Sequence, residues 1–138
     1  MASTAARFGL PEVKRSLIAS AGGLVRLPRV LPKNIAMQMA LTGEPISAEE
    51  AYKFGMVNTL VEPGEALEEA LSLAGKINEN APLAVRATRR SLLESLTLND
   101  YDGMKFAIEE TAALAGSEDY KEGPLAFIEK RLPVWKGK

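Results

Sequence analysis

From Pro63 onward the chain keeps a single repeat, and that repeat is helical. Leu67, Ala70, Leu71, Ala74 and Ile77 recur at i, i+3, i+4, i+7 and i+10, the spacing that lays one apolar stripe along an α-helix. Glu65, Glu68 and Glu69 come before it and Lys76 near its end, as the helix dipole favours. Pro82 opens a second run with Val85, Leu92 and Leu96 on the inner side, because proline suits a first helical turn. Arg86, Arg89 and Arg90 occupy the rest of that surface, with Arg90 spaced to pair with Glu94 at i+4. Asn99 or Asp100 caps a third helix carrying Tyr101, Met104, Ile108 and Leu114. Ser117, Glu118 and Asp119 then open a short turn that Gly123 ends, and Pro124 begins a last helix through Arg131.

Before Pro63 the elements are short and mixed, so the predicted boundary separates residues 1–62 from residues 63–138. Pro11 fixes its own φ and pushes Leu10 toward extended geometry, so residues 7–10 read as a strand with Glu12 at its tip. After it, Ala19-Ser20-Ala21-Gly22-Gly23 opens a helical run, where backbone N–H groups are left without partners. A carboxylate facing such a loop suits a water or an anionic oxygen. Pro32 ends that run and starts the next helix, which carries Ile35, Ala36, Met39 and Ala40 and stops at Gly43 and Pro45. Ser47-Ala48-Glu49-Glu50 is a capping box with Ile46 available as a staple. Residues 56–61 alternate and read as a second short strand, closed by Pro63-Gly64. The expectation is a predominantly α-helical chain with two short strands.

Composition narrows the chemistry. The 138 residues contain no cysteine and no histidine, which excludes disulfides, thiolate nucleophiles, Ser-His and Cys-His catalysis and most zinc sites; no metal site is expected. Carboxylates, lysine and tyrosine remain for acid–base work. A net charge of −1 lacks the basic surplus of a nucleic-acid binder. No apolar run approaches the about 18 residues of a membrane helix, and the chain reads as soluble, cytoplasmic, with neither membrane nor nucleic acid as a partner.

The run F-G-L-P-E-V-K-R-x-L-I-A-x-A-G-G, followed by L-x-R-L-P-R, A-L-T-G-E-P-I-S-A-E-E-A and G-M-V-N-x-L-V-E-P, resembles the C-terminal half of the crotonase (enoyl-CoA hydratase/isomerase) family. The resemblance implies the C-terminal portion of the α/β crotonase spiral fold, also called ClpP/crotonase, with residues 1–62 as spiral core and residues 63–138 as a helical oligomerisation and CoA-contact region. It implies a hydro-lyase of fatty-acid metabolism and β-oxidation that hydrates a 2-enoyl-CoA to a 3-hydroxyacyl-CoA. The substrate is an acyl-CoA thioester, no separate cofactor is implied, and a homo-oligomer, trimer or hexamer, is expected. Glu12 occupies the position of one of two glutamates that hold and activate water. The second glutamate and the two oxyanion-hole N–H groups correspond to sequence upstream of Met1. Ser20 stands where members often have glycine, at a loop N–H that helps hold the water, and Ser16 likewise replaces a common glycine. Phe127 and Lys130 match the helix segment through which a neighbouring subunit contacts CoA.

Residue by residue, plainer readings stand beside these. Glu12 alone could accept local backbone hydrogen bonds, Gly22-Gly23 could serve a tight turn, and Phe127 with Lys130 could be an apolar anchor and a last-turn charge. At the level of function two alternatives stay open. One is a non-catalytic, self-associating helical module; the other is a different acyl-CoA reaction, isomerisation or hydrolysis.

Overall fold

A computed structural model describes all 138 residues, Met1–Lys138. The chain divides into two units, Met1–Ser72 and Leu73–Lys138.

The first unit contains four two-residue strands where two short strands, at residues 7–10 and 56–61, were expected. They are β1 (Ala2–Ser3), β2 (Arg7–Phe8), β3 (Ile46–Ser47) and β4 (Leu60–Val61). β1 pairs with β4 in parallel and β2 with β3 antiparallel. The predicted strand at residues 7–10 thus stops at Phe8, and the one at residues 56–61 begins at Leu60. Alternation along a chain marks extended backbone, but a strand lasts only where a neighbour meets its N–H and C=O groups.

Pro11 produces a second departure. Glu12 lies in a 3₁₀ turn, Pro11–Arg15, not at a strand tip. Proline's fixed φ suits the first position of a helical turn as well as the end of an extended one. The turn closes on Ser16, whose φ of 57° is left-handed. Ser16 N–H donates to Val13 O at 3.3 Å and Leu17 N–H to Glu12 O at 3.1 Å, the paired bonds of a Schellman closure, usually built on glycine. A left-handed L-residue costs about 1–2 kcal/mol. Glycine would return roughly 0.5–1 kcal/mol of that as chain entropy. Ser16→Gly is therefore expected to stabilise the fold by about 0.5–1 kcal/mol; an unchanged or lower midpoint in thermal unfolding would contradict it.

Helices α1 (Gly23–Val30), α2 (Lys33–Thr42) and α3 (Ala48–Lys53) complete the unit. The capping box forms as the sequence predicts: Glu50 N–H donates to Ser47 Oγ at 3.1 Å and Ser47 N–H to Glu50 Oε2 at 2.8 Å. One buried cluster joins Leu27 and Leu31 of α1 and its end to Ala36 and Met39 of α2. A second joins Ala2, Ala51 and Val57, and Ile46 and Met56 touch both. Burying a side chain such as Leu27 or Met39 contributes about 1.5–3 kcal/mol. Together the clusters anchor the elements on either side of the Glu12 turn. Lys14, two residues beyond Glu12, also pairs with Glu44 just past α2.

The division between units falls inside α4 (Ala66–Asn78). α5 (Pro82–Ser95), α6 (Asp100–Leu114) and α7 (Glu118–Ile128) follow. Pro82 takes the first helical position of α5, and Asn99 caps α6 by accepting the Asp102 N–H at 3.0 Å. α5 packs against α6, and Arg90 bonds Glu110 across that pair rather than Glu94 along its own helix. Pro124 does not begin a helix. It lies within α7, which starts at the Ser117 cap and passes through Gly123, so a single hydrogen bond is forfeited inside a helix otherwise well held. Leu92 and Leu96, expected to face inward, are exposed, and so are Leu67, Leu71, Ile77, Tyr101, Met104 and Ile108. No helix is long and apolar enough to cross a membrane.

Candidate active site

Glu12 and Ser20 line the same cavity. Its volume is about 170 Å³, and its other walls are Leu10, Ile18, Ala19, Ala21 and Gly23. At roughly 30 Å³ per water molecule, it has room for a few waters. The walls come from two stretches that local sequence brings together: the 3₁₀ turn carries Glu12, and the loop before α1 carries the small residues. Gly22, at the N-terminal cap of α1, has φ 104°, a left-handed value natural to glycine. Gly23 is small for a different reason. A Cβ there would lie 3.0 Å from the Ala19 Cβ and 3.1 Å from a Leu10 methyl, so its hydrogen lets the loop close onto Leu10.

One atom of the Glu12 side chain is unlike every other buried side-chain polar atom of the protein. Glu12 Oε2 is buried and has no hydrogen-bond partner. Leaving a buried acceptor unmet costs about 1–3 kcal/mol, and native proteins rarely leave such groups without a reason. The plainer reading, in which the Glu12 side chain satisfies local N–H groups, does not describe this oxygen; only the main-chain carbonyl of Glu12 does that, for Leu17.

Ser20 has no left-handed φ, so serine fits its backbone without strain. Its N–H is already used, donating to Ile18 O at 2.8 Å. The next N–H, on Ala21, donates to no acceptor in the chain, and Ala21 shares the cavity wall. Ala21 belongs to the small-residue loop predicted to carry unpartnered N–H groups, but nothing in the sequence singles it out. Loop composition announces free N–H groups but does not say which of them a local turn consumes.

Phe127 and Lys130 belong to the second unit, at the end of α7. Phe127 is 85% exposed, so it is no apolar anchor. Lys130 lies beyond the helix with φ 53°, and with Ser16 it is one of two non-glycine residues in the left-handed region. Its ammonium takes part in none of this unit's ion pairs.

The whole chain, residues 1–138, matches the sequence profile of the enoyl-CoA hydratase/isomerase family. It belongs to that family. Among its relatives in the family, the (E)-benzylidenesuccinyl-CoA hydratase of Thauera aromatica is 42% identical over 137 residues, covering 99% of this chain and 54% of that protein. The carnitinyl-CoA dehydratase of Salmonella arizonae is 40% identical over 136 residues, covering 96% of this chain and 52% of that protein. In three dimensions, the crystal structure of an enoyl-CoA hydratase from Mycobacterium tuberculosis H37Rv superposes with a TM-score of 0.94 at 46% identity, over 99% of this chain and 54% of that one. The fold is therefore the crotonase fold, and the chain spans about half the length of these relatives. Within the family's enoyl-CoA hydratase/isomerase profile the match includes the stretch with Glu12 and the segment with Phe127 and Lys130 alike.

Proposed function

We propose that this chain supplies the Glu12 side of a hydration site that adds water across the double bond of a 2-enoyl-CoA, giving a 3-hydroxyacyl-CoA. The unpartnered, buried Oε2 of Glu12, a residue that lines a cavity with room for a few waters, supports this reading. A carboxylate so placed can accept a hydrogen bond from water and remove a proton as the oxygen attacks the β-carbon. The Ala21 N–H, free on the same wall, is a donor that can orient the water oxygen. Ser20 then contributes loop geometry rather than its N–H. The reaction also needs a proton for the α-carbon and donors for the enolate oxygen, and Glu12 supplies neither by itself. Phe127 and Lys130 are assigned to the nucleotide end of CoA, the ring stacking on the purine and the ammonium meeting phosphate. Product analysis tests the chemistry. A chain completed with the upstream half of a relative should turn crotonyl-CoA into 3-hydroxybutyryl-CoA; free CoA as the product would indicate thioester hydrolysis instead.

A second proposal concerns association. Leu67, Leu71, Leu92, Leu96, Tyr101 and Ile108 are large, apolar and exposed on successive helices, more than an isolated soluble chain ordinarily leaves to water. We infer that the chain self-associates through these helices. Sedimentation should show species above the monomer at micromolar concentration, weakened by Leu96→Glu; a monodisperse monomer at high concentration would refute it.

A further inference from the structure

The tail beyond α7 is bound back onto the helix it has just left. Asp119, only 4% exposed, accepts the Lys136 N–H on Oδ1 at 2.7 Å and the Gly137 N–H on Oδ2 at 2.9 Å. Glu122 accepts the Val134 N–H at 2.7 Å. The Trp135 indole N–H donates to Glu79 O at 2.8 Å. Arg131 joins this tail to the helix. Its Nη1 and Nη2 clasp the two oxygens of Glu122 at 2.5 and 2.9 Å, and its Nε reaches Glu129 Oε2 at 2.5 Å. The Arg131 guanidinium, with the Val134 N–H, holds the Glu122 carboxyl at about 2, far below the usual carboxylate range.

Lys130 is caught between the helix and this clasp. Its N–H donates to Phe127 O at 3.3 Å, and the Arg131 N–H donates to Ala126 O at 3.1 Å, a Schellman closure with lysine at the left-handed position where glycine is the natural occupant. Strained backbone of this kind persists where the surroundings over-determine it, and it gathers at functional sites. The surroundings here are Arg131 and its two carboxylates. They fix the backbone between Phe127 and Lys130, an exposed aromatic ring and, three residues on, an exposed cation with no ion-pair partner.

We infer that Arg131 is a positioning residue, which with Glu122 and the Asp119-bound tail preorganises Phe127 and Lys130 to grip the phosphorylated purine end of CoA. This rests on the assignment of Phe127 and Lys130 to CoA made above, and adds the part of the chain that sets their geometry. Binding gains from preorganisation because the bound conformation is ordered in advance.

The 138-residue chain titrated with CoA tests it, with dissociation constants from calorimetry and Trp135, the single tryptophan, reporting tail docking by its fluorescence. Phe127→Ala and Lys130→Gly should each weaken CoA binding at least about fivefold. Lys130→Gly should also raise the unfolding midpoint, since glycine relieves the left-handed strain, and should leave Trp135 emission unchanged. Arg131→Met should weaken CoA binding to a similar extent while shifting Trp135 emission to the red as the tail detaches. Arg131→Lys should not rescue it, because an ammonium cannot make the two-pronged contact. Should Arg131→Met fail to fold, Glu122→Gln removes the same clasp from the other side and carries the same expectations. A freed tail with unchanged CoA affinity would overturn the positioning role while leaving the CoA assignment intact. Unchanged affinity in Phe127→Ala and Lys130→Gly, or no binding by the unaltered chain at millimolar CoA, would overturn the assignment and the inference together.

Discussion

Glu12→Gln is expected to lower kcat for crotonyl-CoA hydration by about 10²–10⁴-fold, the usual contribution of a positioned acid–base group, with KM nearly unchanged. The measurement needs a complete site, so the variant belongs in a chimera joining this chain to the upstream half of the 46% identical Mycobacterium tuberculosis hydratase. Glutamine preserves the side chain's shape and can still hydrogen-bond a water in the 170 Å³ cavity. It cannot take up the proton released as that water attacks. A fall in kcat without a rise in KM is the pattern of an interaction made only in the transition state. Glu12→Asp keeps the charge but withdraws it by one methylene, and a displacement near 1 Å can itself cost about 10²-fold. Full activity in Glu12→Gln would leave the orphaned oxygen without the role assigned to it.

The second large effect concerns the 138-residue chain alone, which should hydrate crotonyl-CoA at a rate at least about 10³-fold below such a chimera. Removing one oxyanion-hole donor typically costs about 2.7–4 kcal/mol, or about 10²–10³ in rate. On the proposed function, this chain carries one of the two carboxylates and no donor to the enolate oxygen. Acid–base help from Glu12 contributes about 10²–10⁴ at best, and it works only against charge that something else stabilises. The deficit therefore wins. Turnover by the purified chain within tenfold of the chimera would show that other groups in these residues do that work.

Signals confined to a few neighbouring residues were legible in the sequence. Ser47 with Glu50, and Asn99, mark helix starts because each cap closes within one turn of itself, and Pro82 does so because its ring presets φ for a first helical turn. The crotonase fold and the enoyl-CoA hydratase/isomerase family were legible too, through ordered blocks around Glu12 that the family profile matches. Other features were not. The turn at Pro11–Arg15 and the passage of α7 through Pro124 turn on what proline tolerates in context, and proline marks a boundary only by default. The stripes containing Leu67, Leu92 and Ile108 were legible as stripes, but a period says which residues share a face and nothing of what covers it. The tail's hold on α7 joins Asp119 to Lys136 and Gly137, 17 and 18 residues away, which no local pattern announces. At the Glu12 cavity, the loop's small residues pointed to free N–H groups, and only coordinates could show that Ser20 spends its own on Ile18 and Ala21 does not.

Ser16 and Lys130 share one backbone conformation, and that makes them a matched pair for a laboratory selection. A library of this chain screened for heat resistance alone has no reason to distinguish them: glycine should rise at both positions, because the relief of left-handed strain is the same at each. Adding a second screen for retention on immobilised CoA should split the pair. Position 16 would still drift to glycine, while position 130 would hold its lysine against the thermal gain. The frequency of glycine at the two codons, read by sequencing before and after the second screen, thereby measures what the molecule gives up in firmness at one end of α7 in return for a cation held in place.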